Sequence, residues 1–242
     1  MTPPPRWRLD GDRFRFTGWD GVECFTTTRA ASLPAGEARP EAIRRLLRTY
    51  RMDDYPVVSM EQVHGAEVRV VVERQDALVV GCDGLATRAT GVILAMRSAD
   101  CLPLAVHDPE TGSIGLAHLG WRGVKAGLPS RLVGAMRDRC GTNPADLHAA
   151  IGPGIGPCCY VVGAEFSSWF PGSLSDCWGL RLDLKGCVVH QLEGEGVLPS
   201  KVHVAPWCTA CTPALCCSYR REGDGARRLV TVLGRIRADR QE

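Results

Sequence analysis

The chain has 242 residues, 45% of them hydrophobic, with 29 Lys plus Arg against 27 Asp plus Glu and a formal net charge of +2. The apolar fraction supports a sizeable core, and a near-neutral balance without a basic block gives no footing for nucleic acid or a membrane surface. Met1–Trp7 lacks an apolar signal-type segment and no run approaches the ~18 apolar residues of a membrane span, so the expectation is a cytoplasmic single domain over 1–242 whose 12 cysteines are mostly free thiols.

Taken in chain order, strands are predicted near 13–17 and 21–28. Pro40 to Arg51 (PEAIRRLLRTYR) places Ile43, Leu46, Leu47 and Tyr50 at helical spacing, with Pro at the start. Strands follow near 56–60 and 67–73, and 76–80 is ambiguous. Three apolar runs come next: 91–97, 102–106 and 113–117. The last two are split by Asp108-Pro109-Glu110-Thr111-Gly112, a turn signal that predicts a hairpin. Residues 124–139 predict a helix that Pro129 either kinks or starts. A strand at 146–151, helices at 163–170 and 182–193, and strands at 201–205, 215–219 and 227–235 complete the chain.

The chemistry-bearing residues fall at strand ends. Cys101 lies in Ser98-Ala99-Asp100-Cys101-Leu102-Pro103, where one strand gives way to the next. His118 closes the following strand, ahead of Gly120-Trp121-Arg122-Gly123, and Gln62-Val63-His64-Gly65 supplies a second imidazole in a polar turn. Two His and one Cys form the kind of set that holds a catalytic zinc with its fourth position open. Read singly, a Cys or His is more often buried packing, but Asp100 and the Gly-Trp-Arg-Gly turn argue for a site. That turn reads equally as a phosphate site, with Arg122 as a planar fork for the anion, or as a plain tight turn with a surface arginine. Cys208-x-x-Cys211 has zinc spacing, yet Cys216 and Cys217 are adjacent and would point to opposite faces of a strand. These cysteines, and Cys158-Cys159, therefore read as free or packing thiols.

Q-V-H-G, A-D-C-L-P and A-H-x-G-W-R-G, in this order and spacing, resemble the signatures of the YfiH family of laccase-domain, polyphenol-oxidase-like proteins. The segments Ile151–Tyr160, Cys208-Thr209 and Ser218–Arg221 agree, so the likeness spans about 20–235. The resemblance implies an α/β fold, an α+β sandwich of mixed sheets flanked by helices. It implies a zinc-dependent purine nucleoside phosphorylase with adenosine deaminase and methylthioadenosine phosphorylase activity, acting on a small-molecule nucleoside and phosphate, with no protein partner inferred. Carried over by residue, it implies metal ligands His64, Cys101 and His118, and catalytic roles for Cys101, His118, Asp83 and Arg122. Arg29, Gln62 and Arg220 fall to the substrate, and Arg227 matches a C-terminal family arginine. Asp83, in Cys82-Asp83-Gly84-Leu85, and Asp100 are candidates to orient a ligand imidazole. The chain departs from the family after Arg29, where Ala30–Gly36 replaces a longer Gly-Gly-Val-Ser loop.

Two other function classes stand beside this one. In a cysteine hydrolase, including a peptidoglycan-editing form, Cys101 attacks and His118 is the base. In a copper oxidase the same His2Cys set would hold copper. Copper ranks behind zinc, because multicopper chemistry needs many histidines and this chain has 6.

Overall fold

The computed structural model describes residues 6–37, 39–176 and 179–236. The chain opens with strands β1 (Arg6–Asp10), β2 (Arg13–Thr17) and β3 (Val22–Thr27), then helix α1 (Pro40–Leu47). Strands β4 (Val57–Met60), β5 (Val68–Val71), β6 (Ala77–Val79), β7 (Gly84–Thr87), β8 (Ile93–Ser98), β9 (Leu102–His107) and β10 (Ile114–Leu119) follow. After helices α2 (Trp121–Lys125) and α3 (Leu128–Cys140) come β11 (His148–Ile151), α4 (Phe166–Trp169), β12 (Leu174–Asp176) and β13 (Leu180–Leu182). Helix α5 (Leu184–Gly194), β14 (Val202–Val204), α6 (Tyr219–Glu222) and β15 (Leu229–Arg235) end the described fold.

These elements form a four-layer sandwich of mixed sheets. A seven-stranded sheet runs β1-β2-β3-β15-β8-β4-β6 and a six-stranded sheet runs β14-β11-β9-β10-β7-β5. Most pairings are antiparallel, but β4 with β6 and β8, β5 with β7, and β11 with β14 are parallel. Strand β8 shows how the layers are written in sequence. Ile93 and Ala95 pack outward with Ile43 and Leu47 of α1, while Leu94 and Met96 face the second sheet. Strand β10 repeats the pattern. Leu116 faces the first sheet, and Ala117 and Leu119 pack with Leu132, Val133 and Met136 of α3. Both faces are covered, so these strands read as nearly continuous apolar runs. Each fully buried Leu or Ile contributes roughly 1.5–3 kcal/mol.

Several expectations need correcting. The helix predicted over 124–139 is two helices: α2 starts earlier at Trp121, and Gly127 in a left-handed conformation (φ 77°) breaks the chain before α3. Pro129 lies in the first turn of α3, where its missing N–H costs nothing. The 215–219 segment is no strand: Cys216 and Cys217 are buried in a loop, and Ser218 caps α6 by accepting from the Arg221 N–H at 3.3 Å. Strands β1, β7, β12 and β13 were not foreseen, each being five residues or fewer. The predicted hairpin is present as β9–β10, with Asp108 accepting from the Glu110 and Thr111 N–H groups across its turn. No helix among the described residues is long and apolar enough to cross a membrane.

His107, at the end of β9, lies 6% exposed against Trp19, and burial pushes its imidazole down to about 4 from the ordinary 6.5. The unfolded chain therefore binds a proton before the folded one does. The associated stability is intact above about pH 6.5 and is lost as pH falls towards about 4. Urea denaturation should show that His107→Gln narrows the stability difference between neutral and acid pH by roughly 2–3 kcal/mol.

Candidate active site

The site is assembled where the chain crosses from one sheet to the other. β8 belongs to the seven-stranded sheet and β9 to the six-stranded one. The link between them is Ala99-Asp100-Cys101, so Cys101 stands at the crossover. His118 is the penultimate residue of β10, beside β9. His64 arrives on the loop after β4. One ligand-type atom each from His64, Cys101 and His118 lies within 4.8 Å of the others. The two imidazole rings stand 5.0 Å apart at 73°.

Asp83 organises this set. It is fully buried and leads into β7, the neighbour of β10. Its carboxylate accepts from His118 Nδ1 at 2.8 Å and from the backbone N–H groups of Val63, His64 and Gly65 at 3.1, 3.0 and 2.8 Å. Its own carbonyl accepts the His118 N–H at 2.8 Å. One carboxylate thus fixes the ring of one candidate ligand and the backbone of another, and turns His118 Nε2 towards Cys101. Asp100 does something different from the expected imidazole contact. Its carboxylate accepts from Thr209 Oγ1 (2.6 Å), Ser218 Oγ (3.0 Å) and the Arg220 N–H (2.7 Å), pinning the loop between β14 and α6, and the start of α6, to the crossover.

Backbone conformation points to the same place. Gln62 (φ 70°), His64 (φ 60°) and Asp100 (φ 91°) are three of four non-glycine residues with positive φ among the described residues. Such conformations cost of order 1–3 kcal/mol each and persist where the surroundings over-determine them. Asp83 and Asp100 supply that constraint at two positions. At the third, the Gln62 amide donates to the Arg97 carbonyl (2.6 Å) and accepts the Arg97 N–H (2.9 Å). Gln62 thus lines the cavity while one donor and one acceptor of its amide are held by strand β8. Gly120 is also dictated by the site, because a Cβ there would lie 3.1 Å from the His64 ring and 3.2 Å from Cys101 Sγ.

Electrostatics favour a thiolate. Burial raises the Cys101 thiol, but His118, with His64, more than offsets it and brings the thiol well below the ordinary value. Burial lowers the His118 imidazole, and the charges of Cys101 and Asp83 outweigh that and raise it. Burial likewise opposes the Asp83 carboxylate, yet His118 and the backbone donors hold it low. A thiolate facing two imidazoles, one held by a buried carboxylate, fits the donor set and supporting shell of a bound zinc.

These groups open onto a cavity of about 490 Å³. Arg97, Arg122, Arg220 and Arg228 line it, with Trp121, Tyr160 and Tyr219 as aromatic walls. Arg122 lies over the Trp121 ring at 4.4 Å, and Arg220 over Tyr160 at 5.3 Å. Burial lowers the Arg97 guanidinium, and the neighbouring Arg228 charge adds to the effect. Arg97, Arg228, Tyr160 and Tyr219 were missed by sequence reasoning. The available signal was Arg97 itself, a charge closing an otherwise apolar buried strand.

Arg29 is not among the lining residues. It donates to Glu222 at 2.7 Å, a bond that holds the Glu222 carboxyl down at about 2. The structure thus places its guanidinium in an ion pair with Glu222, outside the cavity lining expected of a substrate contact. Arg227 is likewise occupied, with Nε donating to Ser32 Oγ at 2.8 Å. The shortened loop after Arg29 still reaches the cavity through Ala35, whose carbonyl accepts from Arg97 at 3.1 Å.

A family model described as multi-copper polyphenol oxidoreductase laccase matches residues 37–235. The chain is 35% identical over 224 residues to a Geobacillus stearothermophilus protein named purine nucleoside phosphorylase YlmD, across 84% of this chain and 82% of that one. It is 35% identical over 237 residues to a Deinococcus radiodurans protein named purine nucleoside phosphorylase, across 89% and 90%. The crystal structure of YlmD from Geobacillus stearothermophilus superposes with a TM-score of 0.86 at 31% identity, covering 97% of this chain and all of that one. That of Bacillus licheniformis YfiH gives a TM-score of 0.84 at 26% identity, covering 94% and 98%.

Two substitutions test the assembly. Asp83→Asn leaves one acceptor oxygen for four donors, so metal affinity should fall ~10–100-fold by competition with a chromophoric chelator. Gly120→Ala should push the His64 ring and Cys101 aside by a few tenths of an ångström. That exceeds the roughly ±0.2 Å tolerance of a metal site, so affinity should drop while circular dichroism stays native.

Proposed function

The chain belongs to the multi-copper polyphenol oxidoreductase laccase family, the YfiH-like proteins, and on that premise we propose that it is a zinc-dependent purine nucleoside phosphorylase. The observation that carries this reading is the His64-Cys101-His118 cluster opening onto a single cavity lined by four arginines and three aromatic rings. A volume of about 490 Å³ falls within the ordinary range for small-molecule sites. Four guanidiniums suit phosphate, and flat aromatic walls suit a purine. The names of the relatives supply the reaction class.

Zinc, when bound by these three residues, would supply Lewis-acid polarisation of an oxygen in the pocket. The protein's own groups do the rest. Asp83 holds the proton on His118 Nδ1 and so keeps Nε2 as a donor atom. Arg122 and Arg220 bind and orient phosphate against the anomeric carbon of the nucleoside. A phosphate oxygen forms the new bond to that carbon as the N-glycosidic bond breaks, and its electron pair leaves with the purine, which takes up a proton. Burial pushes the Tyr160 phenol up to about 12, so it remains a hydrogen-bond donor at neutral pH. Trp121 and Tyr219 cover the base and exclude water. Adenosine deamination, implied by the family likeness, would instead add water at the purine carbon that bears the amino group and release ammonia as that C–N bond breaks.

A cysteine hydrolase is the second reading, favoured by the lowered Cys101 thiol beside His118. It gives His64 no role, and a metal-held thiolate is a poor nucleophile. Copper oxidation is less well supported: among the described residues only His64-Cys101-His118 unites imidazole with thiolate, and a single such group cannot serve a multi-copper relay.

Release of free base from adenosine and inosine should require phosphate and vanish on metal removal, returning with added zinc. Arg122→Lys should raise the KM for phosphate about tenfold, ~1.4 kcal/mol, with zinc content unchanged, because an ammonium does not reproduce the guanidinium fork. Turnover that survives complete metal removal, together with inactivation by Cys101 alkylation, would transfer the assignment to the hydrolase.

A further inference from the structure

Two cysteine pairs far apart in sequence meet in space. Cys158 and Cys159 sit in the turn after Gly156, and Cys208 and Cys211 in the turn after β14. Their four sulfurs lie within 4.8 Å of one another. Read from the sequence as free or packing thiols, they are free thiols here, but the two pairs converge on one point. Cys216 and Cys217, considered alongside Cys208 and Cys211, are instead buried with Phe14 and Leu229.

The turns are fastened side by side before any ligand is considered. Gly154 and Cys208 form a parallel bridge, and the Thr209 N–H donates to the Gly154 carbonyl at 3.1 Å. The Gly156 N–H donates to Cys208 Sγ at 3.2 Å, the kind of contact that stabilises a ligating thiolate. A Cβ on Gly156 would lie 3.3 Å from Cys208 Cβ and 3.4 Å from Cys158 Sγ, so glycine is what lets the turns close up.

We propose that Cys158, Cys159, Cys208 and Cys211 form a second metal site, a closed tetrathiolate site for zinc, distinct from the His64-Cys101-His118 centre. Geometry supports it. Zinc–sulfur bonds of ~2.3 Å in a tetrahedron place sulfurs ~3.8 Å apart, and Cys158 and Cys211 Sγ are 3.8 Å apart. Cys208-x-x-Cys211 has the spacing of a zinc-binding turn. Charge supports it independently. Zinc with four thiolates carries a net −2, and three cations are anchored to the backbone of these turns. Lys185 Nζ donates to the Ala205 and Trp207 carbonyls at 2.6 and 3.1 Å. Arg221 donates to the Thr209 and Ala210 carbonyls at 3.0 and 2.8 Å, and Arg181 donates to the Cys158 carbonyl.

Four sulfur ligands leave no open position, so the site is structural. It would brace the active site from behind. Thr209, inside the Cys208–Cys211 turn, holds the Asp100 carboxylate, and the Ile155 N–H donates to the Asp100 carbonyl at 2.8 Å. Asp100 precedes the catalytic-centre ligand Cys101. Tyr160, beside Cys159, walls the cavity.

Elemental analysis of the full chain, purified under reductant, should find two zinc per chain. Cys101→Ser should retain one, and Cys158→Ser/Cys211→Ser should retain the other. Cobalt loading of Cys101→Ser isolates the second site, since the first then has no thiolate. That protein should show the intense sulfur-to-cobalt charge-transfer and tetrahedral d–d bands of thiolate coordination. Absence of those bands overturns the proposal, as does one metal per native chain with all four thiols alkylating as fast as in urea. Loss of metal only in Cys101→Ser would leave the first centre standing without the second.

Discussion

The buried carboxylate of Asp83 is the interaction on which the site depends. Its four accepted hydrogen bonds draw a strand residue, His118, and a loop, Val63–Gly65, onto one point. A buried carboxylate is costly unless its lone pairs are satisfied, and here backbone donors and an imidazole satisfy them. The bonds also hold His64 in a left-handed conformation that an isolated loop would leave. The organising residue therefore lies behind the ligands and does not line the cavity.

The second constraint is the passage between sheets. A strand covered on both faces cannot end in a loose connection without exposing its core. The chain instead changes layer over Ala99-Asp100-Cys101, with Asp100 at φ 91°. That conformation is sustained by Thr209, Ser218 and Arg220, residues from the far end of the chain. The layer change and the ligand coincide because the crossover is where backbone leaves the ladder and can present a side chain. Helix α6, pinned this way, carries Arg220 to the cavity rim, so a single carboxylate couples fold closure to the electrostatic lining.

Charge divides the pocket into two chemistries. The thiolate and its imidazoles offer soft-to-borderline donors at the floor, and guanidiniums collect on the walls. Arg97 and Arg228 are close enough to oppose one another's charge, which an anionic ligand would relieve. Such a lining is wasteful for an apolar phenol and apt for a phosphate oxyanion. The proposed phosphorylase activity rests on this lining together with the likeness to relatives named purine nucleoside phosphorylase.

The sequence by itself determined the local features. The apolar run over Ile93–Ser98 and the Asp108 turn define strands and a hairpin, because strand pattern and turn chemistry act over a few residues. His64, Cys101 and His118 stood out for their residue types and their places at strand ends. Only the tertiary structure decided which sheet each strand joined, since β8 and β9 have similar apolar patterns and differ in partner. Nor could local signals show that Arg97 turns into a cavity, that Arg29 spends its charge on Glu222, or that Cys158 meets Cys211. Those outcomes follow from long-range burial and charge pairing, which bring together residues whose separation along the chain carries no trace of the contact.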